Sequence, residues 1–101
     1  MTPSEIQVAR DNNAMLIKIF PANVLGPAFI NAVKEVFPGQ AFIPTGGVEI
    51  SKESISAWFK SGVVAVGVGS KLISKEILEN KNYDLLYDKT VEVLQLIKDN
   101  R

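Results

Sequence analysis

Three apolar runs of strand length punctuate the chain: Met15 to Phe20, "AFIP" at 41–44 and "VVAVGV" at 63–68. Segments of helical periodicity lie between them, and each run ends in proline, glycine or both. Such alternation predicts βα units and a parallel sheet, because parallel strands need crossover connections and helices supply them. An α/β fold with about three parallel strands is therefore expected.

The helices carry their own start and stop signals. In "TPSE", Thr2 can cap, Pro3 fits the first helical position and Glu5 lies three residues beyond the cap, which predicts a helix ending near Asn13. Gly26-Pro27 opens a second helix with Phe29, Ile30, Val33 and Val36 at helical spacing, and "FPG" at 37–39 stops it. Ser51 can cap a third helix through Lys60, with Ile55, Trp58 and Phe59 on its apolar face and Gly62 at its end. A short helix near 74–80 and an amphipathic one from Tyr83 to Lys98, carrying Leu86, Val93, Leu94 and Ile97, complete the pattern. No linker or repeat divides the 101 residues, so one domain spanning 1–101 is expected.

Composition removes several classes of function. Eleven Lys and Arg balance eleven Asp and Glu, so no net field draws nucleic acid or an anionic membrane surface. The chain has neither cysteine nor histidine, which removes the usual ligands of a zinc or other soft-metal site. No cofactor is expected. No apolar stretch approaches the roughly 20 residues that cross a bilayer, and "MTPSEIQ" lacks the basic and apolar regions of a signal peptide, so a cytoplasmic protein is expected.

In parallel α/β architectures ligands bind at the carboxyl edge of the strands. Three loops begin there, at Pro21, Thr45 and Gly69. "TGG" at 45–47 offers a hydroxyl and glycine amides, and "GS" at 69–70 offers a second glycine turn; together they form a possible phosphate cup. Glycines after a strand are also ordinary turn residues. Lys18 has two readings as well. It can snorkel to the rim like any partly buried lysine, or its cation can be poorly solvated among Ile17, Ile19 and Phe20, which disfavours the ammonium and leaves a nucleophilic amine.

Read together, "MTPSE", "IKIFPANVLGPAFINAVK", "FIPTGGV" and "WFKSGVVAVGVGS" resemble the C-terminal half of the 2-keto-3-deoxy-6-phosphogluconate aldolases, a family that includes the 4-hydroxy-2-oxoglutarate aldolases. The resemblance runs from Met1 to about Ile73. Its specificity lies in the combination of K-x-F-P-A, P-T-G-G and G-x-G-S. It implies a metal-free class I aldolase on a (β/α)₈ barrel, with Lys18 forming a Schiff base on the 2-oxo carbon of the substrate. It further implies that Phe20 packs beside the imine, that Pro21 belongs with it to the substrate-binding set, that Thr45 faces the substrate, and that Gly46, Gly47, Gly69 and Ser70 hold its phosphate. The reaction so implied cleaves a 2-keto-3-deoxy sugar-acid phosphate to pyruvate and glyceraldehyde 3-phosphate.

Two departures accompany the resemblance. Pro21-Ala22-Asn23 stands where many relatives read P-A-E or P-G-E. A whole barrel needs on the order of 200–250 residues, so this chain is expected to supply βα units six to eight, with one preceding and one final helix. The family's acid/base glutamate and its carboxylate-gripping arginine belong to the other half. Neither has a counterpart here, where the only arginines are Arg10 and Arg101. A partial barrel of this kind should leave sheet edges and apolar faces bare. The expected partners are therefore a small keto-acid phosphate together with a second copy or a complementary N-terminal half-barrel. A non-catalytic half-barrel that binds phosphate or serves assembly is the alternative.

Overall fold

The computed structural model describes residues 1–101 and builds each predicted helix from its local signal. The Thr2 hydroxyl accepts from the Glu5 N–H at 3.3 Å, and α1 runs over Pro3–Asp11 with proline in its first turn. Strand β1, Leu16–Ile19, follows. A single turn not anticipated from the sequence, α2 (Ala22–Leu25), precedes α3 (Pro27–Val36). Strand β2 is Ala41–Pro44, as expected. The Ser51 hydroxyl caps α4 (Lys52–Lys60) and the Ser74 hydroxyl caps α5 (Lys75–Asn80). Helix α6, Tyr83–Asn100, closes the chain with Asn82 as its cap. No helix is long and apolar enough to cross a membrane.

β1 and β2 pair in parallel, with Leu16 beside Ala41, Ile17 beside Phe42, Lys18 beside Ile43 and Ile19 beside Pro44. Successive strand residues point to opposite faces, so the register sorts the side chains into two sets. Ile17, Ile19, Phe42 and Pro44 are buried, while Leu16 and Lys18 are exposed and Ala41 and Ile43 are half-buried. The buried set packs with Ile6 of α1, Ile30 and Val33 of α3, and Ile55 and Trp58 of α4. Each large aliphatic or aromatic side chain so buried stabilises the fold by about 1.5–3 kcal/mol. The other face of the sheet is bare.

The third expected strand is the main correction. Only two strands form, and 63–68 is an irregular segment that touches β2 at two points. The Val64 N–H donates to the Phe42 carbonyl at 3.2 Å and the Gly67 N–H to the Pro44 carbonyl at 2.8 Å, with one isolated parallel bridge between Thr45 and Gly67. Between those bonds β2 advances two residues and the segment advances three, so one residue bulges out of register. Pro44 is the physical reason. Its main-chain groups face this segment, and lacking an N–H it cannot donate the bond that a regular ladder would place between the two. The β-branched run is therefore held alongside β2 but not laddered to it.

Helix α6 also departs from expectation. Val93 is buried and Leu86 and Ile97 are half-buried, as the periodicity predicts, but Leu94 is turned outward and 61% exposed. The helix packs chiefly on α4 and α5.

Candidate active site

The carboxyl ends of β1 and β2 are stitched together by main-chain bonds. The Thr45 N–H donates to the Ile19 carbonyl at 2.9 Å, the Ala22 N–H to the Thr45 carbonyl at 2.9 Å, and the Asn23 N–H to the Gly46 carbonyl at 3.0 Å. Because α2 begins at Ala22, its first two amides are satisfied by the neighbouring loop instead of by a side-chain cap. The loops at Pro21 and Thr45 thus form one ridge, with a cis bond between Phe20 and Pro21.

Glycine is required on this ridge for a steric reason. Gly46 sits at φ +97°, and a Cβ there would lie 2.8 Å from Cε2 and 2.9 Å from Cδ2 of Phe20. Gly47, at φ +69°, is pressed in the same way against the side chain of Asn23. The Phe20 ring in turn lies 5.5 Å, centroid to nitrogen, from the Lys18 ammonium, a cation–π distance. Lys18, Phe20, Pro21, Thr45, Gly46 and Gly47 are therefore contiguous. The chain of contact runs from amine to ring to glycine loop.

Of the two readings of Lys18, the structure bears out the exposed one and not the enclosed one. Ile17 and Ile19 were expected to surround it with apolar surface, yet both are buried beneath the helices while Lys18 is exposed on the open face. Strand geometry explains this, since residues one apart point to opposite sides of the sheet. No carboxylate lies within ion-pair distance of the amine. The three surface concavities of the molecule are lined by residues of α4, of α6, and of the loops meeting α6, so the sheet face bearing Lys18 is an open surface and not a pocket.

The second glycine turn is joined less directly. Thr45 and Gly67 are in contact through the bridge, and a side chain at 67 would collide with the Thr45 hydroxyl. Gly69 and Ser70 follow two residues later. Both are exposed, and the Gly69 carbonyl accepts from the Leu72 and Ile73 N–H groups at 2.9 and 2.8 Å in a tight turn. Neither residue is hydrogen-bonded to Gly46 or Gly47. A single surface ion pair spans the two loops, Lys71 to Glu49 at 3.0 Å. The glycine turns are thus neighbours on one edge, linked through Gly67 and this pair, and the expected single cup is not closed.

Three contacts of the site escaped sequence reasoning. Asn23 packs on Gly47, Gly67 packs on Thr45, and Glu49 pairs with Lys71. Only Gly67 had a readable signal, because an isolated glycine inside a strand pattern marks a bulge or a close backbone approach. No group of acidic or other ligating side chains is arranged to hold a metal ion.

Comparison with known proteins agrees with this architecture. The family model for KDPG and KHG aldolase matches residues 1–88. A 2-dehydro-3-deoxy-6-phosphogalactonate aldolase of Escherichia coli K12 is 36% identical over 72 residues, covering 70% of this chain and 34% of that protein. A probable enzyme of the same name from Rhizobium meliloti 1021 is 37% identical over 71 residues, with 70% and 33% covered. The chain thus spans about a third of the length of the curated relatives it matches. Among solved structures, a native KDPGal structure superposes with a TM-score of 0.65 at 28% identity, covering 93% of this chain and 47% of that one. A cube-shaped, porous protein cage designed by fusing symmetric oligomeric domains gives 0.81 at 25% identity, with 98% and 35% covered.

Proposed function

The chain belongs to the KDPG and KHG aldolase family, and on that premise we propose that it carries class I aldolase chemistry on Lys18. The neutral amine attacks the 2-oxo carbon of a 2-keto-3-deoxy sugar-acid phosphate, the carbinolamine loses water, and the resulting iminium takes the electron pair of the C3–C4 bond into an enamine as that bond breaks; the C4 hydroxyl gives up its proton to become the aldehyde, and C3 takes one from water to return the imine of pyruvate. Cleavage yields pyruvate, released when water hydrolyses the imine, and glyceraldehyde 3-phosphate. The observation that carries the reading is the placement of Lys18 at the carboxyl end of β1, on the uncovered sheet face, in contact through Phe20 with the Thr45–Gly46 loop.

The remaining roles follow the same edge. Phe20 and Pro21 flank the imine, Thr45 faces the substrate, and the glycine turns at Gly46-Gly47 and Gly69-Ser70 present amides and a hydroxyl to the phosphate. On this reading the chain is one partial-barrel domain holding units six to eight, and its bare sheet face is where the rest of a barrel would lie. No carboxylate stands within ion-pair distance of Lys18 to move protons. Positioned proton transfer is typically worth ~10²–10⁴ in rate, so the chain alone should form the imine more readily than it turns over. Cleavage should accelerate when a polypeptide matching the remaining part of its relatives is added.

Reduction by borohydride in the presence of pyruvate tests the assignment. A stable adduct should map to Lys18 by mass spectrometry and vanish in Lys18→Ala. An adduct spread evenly over the nine lysines would refute it. If no Lys18 adduct forms while inorganic phosphate still raises the thermal midpoint, the half-barrel acts as a phosphate-binding or assembly module instead. The openness of the sheet face favours that second reading.

A further inference from the structure

Both glycine turns present main-chain donors that the fold leaves unused. The N–H groups of Gly46, Gly47, Gly69, Ser70 and Lys71 find no main-chain acceptor, and successive unpaired amides of this kind suit an anion. Amides carry no net charge, however. A phosphate ester near neutrality carries about −1.5 to −2, so a site that prefers it to an uncharged group gains most from a cation. Lys18 stands on the sheet face and is committed to the imine, which leaves the lysines beside the turns.

Lys71 is the one whose position meets that need. It follows Ser70 directly, and its ammonium lies 3.0 Å from a carboxylate oxygen of Glu49, two residues beyond Gly47. The pair thus ties one glycine turn to the other. Both side chains are open to water, Lys71 at 48% and Glu49 at 60%, and an ion pair so exposed adds little to stability. It is easily exchanged. The two residues line an open cleft with Ile50, Lys89 and Glu92, so the Glu49 side chain has room to withdraw.

We propose that Lys71 is the cation that selects phosphorylated substrates at the glycine turns, and that Glu49 is its internal competitor, giving up the ammonium when a phosphate dianion settles on the two turns. The exchange replaces a weak, water-screened pair with charge-assisted hydrogen bonds to an anion already held by amides, and such bonds are roughly twice as strong as neutral ones. An unphosphorylated keto acid brings no anion to the turns, so the pair stays closed and the gain in affinity is confined to phosphate esters. The inference rests on the reading of the glycine turns as the phosphate site. It does not rest on the Lys18 imine, because inorganic phosphate has no carbonyl. Trapping of pyruvate at Lys18 and binding of phosphate at the turns can therefore fail separately.

Titration of the whole chain with inorganic phosphate at constant ionic strength, followed by the thermal midpoint, yields a dissociation constant for the parent and for each variant. Phosphate should stabilise the parent. Lys71→Gln should weaken phosphate binding about tenfold, and Lys71→Arg should keep it within about threefold. Glu49→Gln frees the lysine and should tighten binding about two- to fivefold. A merely structural ion pair would move both losses in the same direction, so opposite signs distinguish competition from support. Glu35→Gln removes the same charge from the exposed surface of α3 and should stay within about twofold of the parent, which sets local competition apart from net charge. Far-ultraviolet circular dichroism verifies that each variant is folded. A parent that phosphate does not stabilise overturns the proposal, as does Lys71→Gln binding as tightly as the parent. So does Lys71→Arg as weak as Lys71→Gln, or Glu49→Gln binding no tighter than Glu35→Gln.

Discussion

Replacing Gly46 by alanine separates the two things that glycine does in the ridge beside Lys18. At φ +97° any L side chain is strained, and residues held in such sparsely populated backbone regions cost of order 1–3 kcal/mol. The added methyl would also lie 2.8 Å from a ring carbon of Phe20. That clash can be relieved, because the ring is 57% exposed and free to swing outward. The backbone strain cannot be relieved without disturbing the bonds from Thr45 and Asn23 that lock the two loops. Gly46→Ala should therefore lower stability by about 1–3 kcal/mol, with most of that cost from the backbone. For a domain of this size that is a fall in Tm of roughly 4–8 °C per kcal/mol. The displaced ring should leave the Lys18 amine, so borohydride trapping with pyruvate should slow as well. Gly69→Ala is the control. Its φ is ordinary and a Cβ there meets nothing within 4 Å, so its stability should stay within about 0.5 kcal/mol of the parent. Thermal and urea denaturation of both variants decide the matter. Equal, small effects at the two positions would refute the argument that Gly46 is needed sterically.

Two further outcomes rest on the body of the fold. Phe42 of β2 is fully buried in the core between the sheet and the helices; Phe42→Ala should cost about 3–5 kcal/mol in urea denaturation, a large share of a typical ~5–15 kcal/mol total. At the amino terminus, the hydrogen bond from the Thr2 side chain holds the Glu5 carboxyl below the ordinary glutamate range, with the charged terminal amine as a second cause. A carboxyl lowered on folding contributes stability that is present above its unfolded value and is lost as pH falls through the folded one. The stability difference between the parent and Thr2→Ala should therefore be largest near neutrality and shrink in acid below the ordinary glutamate value. A difference that grew in acid would contradict the capping geometry.

Local rules and non-local ones divide the features that the sequence made legible from those it hid. Thr2 and Ser51 announced helix starts because capping joins residues three apart, and Gly26-Pro27 did so because proline suits the first helical position. The strand at 41–44 and the placement of Lys18 at the end of β1 were equally readable. The third strand was not, although "VVAVGV" is the purest β-branched run in the chain. Its ladder depends on a donor in another segment, and Pro44 has none to give. Propensity describes how well a side chain fits a pleated surface; it carries no information about the partner's main chain.

The same distinction governs the Lys18 amine. Flanking isoleucines cannot enclose Lys18, since they occupy the other side of the sheet; only residues two away, or residues from another element, share its face. Of those within reach, Leu16 and Phe20 are themselves exposed and Ile43 is half-buried. Apolar enclosure of the amine therefore has to come from structure laid over the open sheet. This sets the order in which function should appear when a covering polypeptide is supplied. Imine trapping depends on Lys18 and Phe20, which this chain positions, and should be measurable first. Cleavage depends on water exclusion and on a proton-transfer group, and should rise only with the cover in place. If cleavage by the chain alone already equalled that of the mixture, the bare face would be sufficient for catalysis and the argument from enclosure would fail.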